Sequence, residues 1–317
     1  MMTNMNNSST GATNELKLCQ LEKTYPNGVK ALDNISLTLT NGMFGLLGHN
    51  GAGKSSLMKS LATLQALDKG NIYFNGVDIG QNPEAMRNSL GYLPQEFGVY
   101  PKMSAIKLLN YLATLKGIHN KSKRQAQINQ LLELTNLDKH RHHYVADFSG
   151  GMRQRFGIAQ ALLGSPKVLI IDEPTAGLDP MERNSLHNLL CHIAEKMIVI
   201  LSTHIVEDIN NLCAKMAVMN KGKICFVGSP QQLTEQLNNR LWQKSVDKHE
   251  LTELAAKQPI LSTRLLAGSY QVRIVSQTQP AQGFDCAKPD LEDAYFYTLN
   301  QSVQKSQQVQ QPAGAIQ

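Results

Sequence analysis

The stretch from Met43 to Ser55 has the sequence Met-Phe-Gly-Leu-Leu-Gly-His-Asn-Gly-Ala-Gly-Lys-Ser. Its first five residues form a short, almost continuous apolar run, which is typical of a strand buried in a parallel sheet. The run leads into a glycine-rich turn, and helical spacing follows from Lys54 to about Leu64. This order of strand, turn and helix predicts an α/β fold and locates one of its strand–helix units.

The turn itself, Gly48 to Ser55, matches the phosphate-binding pattern G-x-x-x-x-G-K-[ST] in full. Glycines let the turn fold tightly enough for successive backbone N–H groups to face phosphate oxygens, and the helix N-terminus adds partial positive charge. We expect Lys54 to neutralise the β- and γ-phosphates of a nucleotide and the Ser55 hydroxyl to bind Mg²⁺. A ligand-free turn would match by chance in on the order of one in a hundred chains of this length, so we predict nucleotide binding. The predicted nucleotide contacts of this segment are Gly48, His49, Asn50, Gly51, Ala52, Gly53, Lys54, Ser55 and Ser56. Among these, His49 is assigned no separate role.

A second apolar segment ends in two carboxylates. Lys167 to Ile171 is strand-like, and Asp172, Glu173 and Pro174 follow it. Sheets of α/β proteins bind ligands at the carboxyl ends of their strands. We therefore expect Asp172 to bind magnesium, directly or through water, and Glu173 to polarise an attacking water. The alternative, an aspartate that caps a helix, is less favoured because a phosphate loop is predicted on the same sheet.

The wider pattern organises the chain around these two segments. Strand-like and helical segments alternate from Ser149 to beyond Ile205, which predicts a mainly parallel sheet. Residues 103–137 carry helical spacing throughout and interrupt this alternation, so we expect a helical subdomain at about residues 96–160. Asn75-Gly76 and the segment from Asn220 to Lys223 are typical hairpin turns.

The ends of the chain have weaker patterns. Tyr270 to Val275 is strand-like and Leu291 to Leu299 is helix-like, whereas the residues beyond Gln301 are rich in glutamine. The predicted domains are a disordered lead-in at 1–14, the main domain at 15–230, a small C-terminal region at 231–300 and a disordered tail at 301–317.

The composition of the chain excludes several kinds of site but does not by itself assign a function. The net charge of +6 is compatible with a membrane surface, a nucleic acid or an anionic ligand and selects none of them. No arginine-rich or aromatic-interleaved segment suggests direct nucleic-acid binding. The five cysteines are scattered, which argues against disulfides or a zinc site and fits a reducing cytosol. The longest apolar runs are strand-sized, so we expect no membrane span. The tract from His140 to His143 is predicted to be a solvated helix end rather than a metal site.

Five further segments carry a family resemblance. Phe148 to Arg155 (Phe-Ser-Gly-Gly-Met-Arg-Gln-Arg) resembles the signature motif of the ABC ATPase family, and Ala176 to Pro180 resembles its D-loop. His204 resembles the family's switch histidine, Gln95 its Q-loop glutamine, and Tyr25 the aromatic residue that stacks on adenine. The order of the motifs is more specific than any one of them. The signature departs from the usual pattern at its first and fifth positions, but its Ser-Gly-Gly is intact.

The resemblance covers about Leu16 to Pro230 and implies a fold and cofactors. The fold is a P-loop NTPase core with a mainly parallel sheet, an N-terminal antiparallel β subdomain, an inserted helical subdomain and a small C-terminal extension. The cofactors are ATP and Mg²⁺, with Ser55, Gln95 and Asp172 as the metal ligands.

The resemblance also implies roles for single residues. Ser149, Gly150 and Gly151 contact the γ-phosphate held by a partner's loop, so that two chains share two nucleotides head to tail. Asp179 couples one site to the other across that dimer.

His204 is implied to sense the γ-phosphate and to orient Glu173 and the attacking water. Gln95 touches the magnesium or the water and acts as a hinge of the helical subdomain. Lys54, Gln95, Glu173 and His204 are thus the expected catalytic residues.

We expect from this resemblance an ATP-hydrolysing motor subunit of an ABC membrane transporter, on the inner face of the membrane and attached to a separate permease. Gly91 to Ser104 and Leu291 to Phe296 resemble exporters whose motor and permease are separate chains. The partner ATPase is an identical chain or a homologue. An importer motor stays open. A soluble ABC ATPase acting on ribosomes, DNA or an assembly machine is less favoured, because one phosphate loop, one signature and no sustained heptads are present. A non-hydrolysing module is disfavoured by Glu173 and His204.

Overall fold

A computed structural model of the chain describes residues 13–98 and 100–309, with side chains described up to Ser302. Most of the predicted lead-in, residues 1–12, and the end of the predicted tail, residues 310–317, lie outside the described residues. The strands are β1 Glu15–Thr24, β2 Lys30–Thr40, β3 Gly42–Leu47, β4 Lys69–Phe74, β5 Val77–Asp78, β6 Leu90–Leu93, β7 Val168–Asp172, β8 Ile198–Thr203, β9 Lys215–Asn220, β10 Lys223–Gly228, β11 Leu241–Val246, β12 Ser262–Leu266, β13 Ser269–Val275 and β14 Asp285–Cys286. The helices are α1 Lys54–Leu61, α2 Pro83–Arg87, α3 Ala105–Leu115, α4 Lys121–Leu134, α5 Gly150–Ala161, α6 Pro180–Ala194, α7 Val206–Leu212, α8 Pro230–Glu235, α9 Lys248–Lys257 and α10 Leu291–Val309.

The chain divides into two compact units, and neither is continuous in sequence. Of the described residues, the first unit contains 13–23, 34–43 and 58–200, and the second contains 24–33, 44–57 and 201–309. The predicted boundary near residue 230 does not separate these units. The physical reason is that α10 packs against α7, α8, β9 and β10, so the residues after 230 belong with those just before it.

The first unit combines an antiparallel sheet, parallel strands and a group of helices. β1 pairs antiparallel with β4, and β4 continues into β5 through the hairpin predicted at Asn75-Gly76. β6 pairs in parallel with β7, in which every residue is buried. The Ile198 N–H at the start of β8 donates to the Lys167 carbonyl, which places β8 beside β7. The predicted antiparallel subdomain and buried parallel strand are both present.

The helical spacing of residues 103–137 corresponds to two helices, α3 and α4, and both pack against α5. α3 ends before Gly117, which has a φ of +81°, a left-handed conformation that favours glycine. Asn120 then caps α4, since its side-chain oxygen accepts from the Lys123 N–H at 3.0 Å. Gly117 and Asn120 thus divide the predicted helical segment into two helices.

The second unit contains β9, β10, residues 44–47 of β3 and residues 201–203 of β8, and the order of these strands is β10-β9-β3-β8. β3 is parallel to β9, and β9 and β10 form the predicted hairpin. A separate antiparallel sheet has the order β12-β13-β11-β14. Its core contains Val246, Val272, Ile274 and Phe284, with Trp242 packed against them. Of this C-terminal sheet, the sequence pattern predicted only the strand at Tyr270 to Val275.

The C-terminal helix α10 is longer than the predicted helix at Leu291 to Leu299. It runs to Val309, so the first residues of the predicted disordered tail are helical. Its packing against β9 and β10, and a hydrogen bond from the Asn220 amide to the Ser302 hydroxyl at 2.7 Å, compensate for the polar composition of this segment. Among the helices of the described part, none is long and apolar enough to cross a membrane.

A buried ion pair stabilises the junction between the C-terminal sheet and α10. Arg273 of β13 donates to the carboxylate of Asp293, which is fully buried. Burial raises the pKa of Asp293, and the charge of Asp290 adds to the rise while that of Arg273 opposes it. Removing the arginine would therefore leave a carboxylate in an apolar environment without its counter-charge.

We expect Arg273→Leu to destabilise the protein by about 3–5 kcal/mol at neutral pH, because an unpaired buried charge is costly. The loss should shrink at acidic pH, where protonation of Asp293 removes that charge. Urea unfolding followed by fluorescence of the single tryptophan, Trp242 of β11, measures this. The matched control is Arg264→Leu, which removes a more exposed guanidinium and should cost no more than about 1 kcal/mol. Equal losses in the two variants would contradict the importance of the buried pair.

Candidate functional site

The predicted phosphate loop lies in the second unit, between β3 and α1. The Gly48 N–H at its start donates to the Thr203 carbonyl at the end of β8, at 3.3 Å. The Lys54 amine donates to the carbonyl oxygens of Gly48 at 2.6 Å and His49 at 3.3 Å. Lys54 is only 5% exposed, so the loop curves around its own lysine. This arrangement concentrates positive charge where successive N–H groups and a helix N-terminus also lie.

Two glycines are required for this curvature. A Cβ on Gly48 would lie 2.6 Å from the Met219 carbonyl oxygen. At Gly53 the φ is +107°, and a Cβ would lie 2.3 Å from the Ala31 carbonyl oxygen. Both distances are shorter than a normal van der Waals contact. The neighbouring backbone therefore leaves no room for a side chain at either position. The predicted need for glycine at these positions has a direct structural basis.

Tyr25 and His204 belong to the same unit as the loop. The Tyr25 hydroxyl lies 3.0 Å from the Ser56 hydroxyl in the first turn of α1. His204 follows Thr203 directly, and its side chain is exposed. Since the Thr203 carbonyl accepts from Gly48, the backbone of His204 adjoins the start of the loop. The structure therefore brings three predicted elements together here: the aromatic residue, the loop and the histidine.

The carboxylate pair lies in the first unit, at the carboxyl end of β7. Asp172 is 7% exposed and Glu173 is 8% exposed. Glu173 has a φ of +50°, a left-handed conformation that is unusual for glutamate. Such strained backbone clusters at functional sites. Burial raises the pKa of the nearby Tyr92 phenol, and the negative charge of Asp172 raises it further.

Gln95 joins this pair from the neighbouring strand. β6 ends at Leu93, which is paired with Ile171, so the two residues after β6 reach the end of β7. The Gln95 amide donates to Glu173 Oε2 at 3.3 Å. The contact restrains the carboxylate of Glu173 and connects it to the segment that leads towards the helical subdomain.

The signature segment and the D-loop meet in the first unit through α5 and α6. Ser149 caps α5 by accepting from the Met152 N–H at 3.2 Å, and it is exposed, as is Gly150. Asp179 caps α6 by accepting from the Glu182 N–H at 2.8 Å. A Cβ on Gly151 would lie 2.3 Å from the Glu182 carboxylate, so this glycine makes room for α6.

An ion pair that sequence reasoning missed connects the same two helices. Arg155 of α5 donates to the carboxylate of Glu182 of α6. Arg155 is the last residue of the signature segment, and no local sequence pattern pairs it with a residue 27 positions away. The predicted site residues thus form two groups. Tyr25, Gly48 to Ser56 and His204 lie in the second unit, and the remaining residues lie in the first.

Comparison with known proteins identifies the family. A family model described as ABC transporter matches residues 32–176. The methionine import ATP-binding protein MetN 1 of Oenococcus oeni is 32% identical over 265 residues, which cover 81% of this chain and 75% of MetN 1. The chain belongs to the ABC transporter ATP-binding protein family. The resemblance predicted from the motifs is therefore confirmed.

Two further members of the ABC transporter family resemble the chain, one in sequence and one in solved structure. The probable multidrug ABC transporter ATP-binding protein YbhF of Escherichia coli is 32% identical over 298 residues, or 88% of this chain. The chain spans about half the length of YbhF, since the matched region covers 51% of it. The solved structure of cbiO1 from Clostridium perfringens, part of the ABC transporter complex cbiONQ, has a TM-score of 0.64 and 26% identity. The aligned region covers 70% of this chain and 90% of cbiO1. This likeness confirms the predicted P-loop NTPase fold.

Proposed function

We propose that the chain is the ATP-binding and ATP-hydrolysing motor subunit of an ABC membrane transporter. The observation that carries the proposal is the enclosure of the Lys54 amine by a complete phosphate loop, with carbonyl contacts at 2.6 and 3.3 Å. An ammonium group held there is available to the β- and γ-phosphates without reorganisation of the loop. Tyr25, beside the first turn of α1, would stack on the adenine.

The donor chemistry of the chain fits magnesium. Mg²⁺ prefers oxygen ligands, and the proposed set offers three kinds: the Ser55 hydroxyl, the Gln95 amide oxygen and the Asp172 carboxylate. When bound, the ion would neutralise charge on the β- and γ-phosphates.

Hydrolysis requires a group that orients water, and we assign this to Glu173. Its burial and its contact with Gln95 hold the carboxylate in one position at the end of β7. His204 would sense the γ-phosphate from the end of β8. These roles belong to general base and electrostatic catalysis, which depend on such pre-organised groups.

Two chains would share the nucleotides head to tail, as an identical pair or with a homologue. The exposed Ser149 and Gly150 at the start of α5 support this, because they offer a helix N-terminus to an anion on another chain. Asp179, which begins α6 beside α5, would couple the two sites. ATP would close the dimer, and hydrolysis with product release would reopen it.

The partner and the direction of transport are also part of the proposal. We propose a cytoplasmic subunit attached to the inner face of the membrane through a separate permease, with the helical subdomain transmitting the motion. An exporter is favoured by the sequences of Gly91–Ser104 and Leu291–Phe296. The likeness to MetN 1, whose name specifies import, makes an importer the second candidate.

A pull-down of tagged Glu173→Gln protein tests the proposal. Extraction with mild detergent and ATP should trap the closed dimer, and a multi-spanning membrane protein should co-purify in a stoichiometric amount. The matched control carries Lys54→Ala in addition and should not be trapped by ATP. Ribosomes, DNA or soluble assembly factors as the co-purifying material would contradict the transport function and leave the ATPase chemistry standing.

A further inference from the structure

The C-terminal helix α10 contacts the phosphate loop at the one motif residue without a role, His49. Tyr295 of α10 is 6% exposed. Burial raises the pKa of Tyr295, and the backbone of His49 beside its hydroxyl opposes that rise. Ser302 lies seven residues further on, so it faces the same side of the helix two turns later. One face of α10 therefore carries two polar groups directed at the same region of the second unit.

A second set of hydrogen bonds reaches the imidazole ring of His49. Its Nε2 lies 2.9 Å from the Asn220 side-chain oxygen. The Asn220 amide donates to the Ser302 hydroxyl at 2.7 Å, and that hydroxyl donates to the Leu299 carbonyl within α10, also at 2.7 Å. Asn220 is 7% exposed, so these bonds are largely shielded from water. The ring of His49 is thereby connected to α10 through Asn220, and its backbone lies beside Tyr295.

The ring of His49 also restrains the next residue of the loop. Its Nδ1 lies 2.6 Å from the Asn50 carbonyl oxygen. The His49 carbonyl in turn accepts from the Lys54 amine. The β9–β10 turn adds a further restraint, since the Gly222 N–H donates to the Ala52 carbonyl at 2.9 Å. The residue bonded to α10 is thus one of the two whose carbonyl groups hold the lysine.

If the role of these hydrogen bonds were purely structural, they would only attach α10 to the rest of the second unit. The geometry favours more, because the bond between Ser302 and Asn220 continues from Asn220 to the ring of His49 in the loop. Any displacement of α10 would change the position of the His49 carbonyl and of the lysine that it holds. Pre-organised loops bind more tightly because less order is lost on binding.

We propose that Tyr295, Asn220 and Ser302 are positioning residues that hold the phosphate loop, through His49, in its nucleotide-binding conformation. This inference rests on the proposed function of the loop as the ATP site. It gives the C-terminal region a role in setting the affinity for nucleotide, and it gives the motif position occupied by His49 a specific purpose in this chain.

The experiment compares the full-length wild type with Tyr295→Phe, Ser302→Ala and the double variant. Tyr297→Phe is the matched control, because its hydroxyl contacts Arg240 and Gln301 of the same region and not the loop. Ser302→Thr keeps the hydroxyl and should restore what Ser302→Ala loses. Hydrogen–deuterium exchange of residues 48–56 is measured without nucleotide. The KM and kcat for Mg·ATP are measured separately.

Each single removal should raise KM for ATP by about two- to tenfold, the usual worth of one hydrogen bond. The kcat should stay within about twofold, because Glu173 and Gln95 are unchanged. Amide exchange in the loop should accelerate in the same variants and not in Tyr297→Phe. The double variant should show the largest increase in KM and the fastest amide exchange of the loop.

The outcomes separate this inference from the function on which it rests. A wild type that binds no ATP would overturn the proposed function, while loop exchange would still test the restraint by α10. Intact wild-type binding with unchanged KM and loop exchange in the double variant would overturn the role of α10 alone. An increase of KM in Tyr297→Phe equal to that in Tyr295→Phe would overturn it as well.

Discussion

Glu173→Gln should slow ATP hydrolysis at least about a hundredfold while ATP binding stays intact, in line with the usual contribution of a general base. Glutamine has nearly the shape of glutamate, so it can occupy the same space at the end of β7 and keep its contact with Gln95. It has no carboxylate to polarise the attacking water. The expected result is therefore a loss of kcat with little change in the affinity for ATP.

The measurement is steady-state phosphate release together with equilibrium binding of ATP to the same preparation. Glu195→Gln is the matched control, since this exposed carboxylate follows α6 in the same unit and has no proposed role. It should hydrolyse ATP at the wild-type rate. Near-normal turnover in Glu173→Gln would remove Glu173 from the mechanism and require another group to orient the water.

The parts of the fold that were predictable from sequence are those with local signals. The apolar run of β3, the glycines of the loop and the buried run of β7 each specify their own structure, because burial and backbone freedom are local requirements. The break between α3 and α4 also has a local cause, Gly117 followed by Asn120, but the apolar spacing on either side conceals it. The turn chemistry outweighs the spacing there.

The C-terminal sheet could not be predicted in the same way. β11 has the sequence Leu-Trp-Gln-Lys-Ser-Val, and three of its six residues are half-buried, so buried and exposed positions do not alternate along it. β12 is largely exposed at the edge of its sheet, so it lacks an apolar face. These strands depend on their partners more than on their own composition, and strand propensity is strongly dependent on such context.

The candidate site shows the same division. The individual motif residues are visible in the sequence, but their mutual contacts join distant positions. Gln95 and Glu173 are 78 residues apart, and His49 and Asn220 are 171 apart. No periodic pattern encodes such pairs. His49 is the clearest case, because a variable position of the motif gains its meaning only from the helix that follows more than 240 residues later.

The head-to-tail dimer predicts complementation between two inactive variants. Ser149→Arg places a long cationic side chain at the exposed start of α5, where the partner's γ-phosphate would lie. Lys54→Ala removes the ammonium group from the phosphate loop. Each variant paired with itself has both sites damaged and should be nearly inactive. A mixed dimer has both defects in one site and an undamaged second site, because each site takes its loop from one chain and its signature from the other.

We therefore expect mixed dimers, isolated with two different tags, to recover turnover of at most about half the wild-type rate, since one of two symmetric sites is intact. Ser165→Arg is the matched control for the substitution, because Ser165 is exposed in the same unit and outside the signature. It should leave both sites active. Two active sites per mixed dimer, or normal turnover of Ser149→Arg on its own, would contradict the head-to-tail arrangement. In that case Ser149 would serve as the cap of α5 alone, the role that its bond from the Met152 N–H already supports.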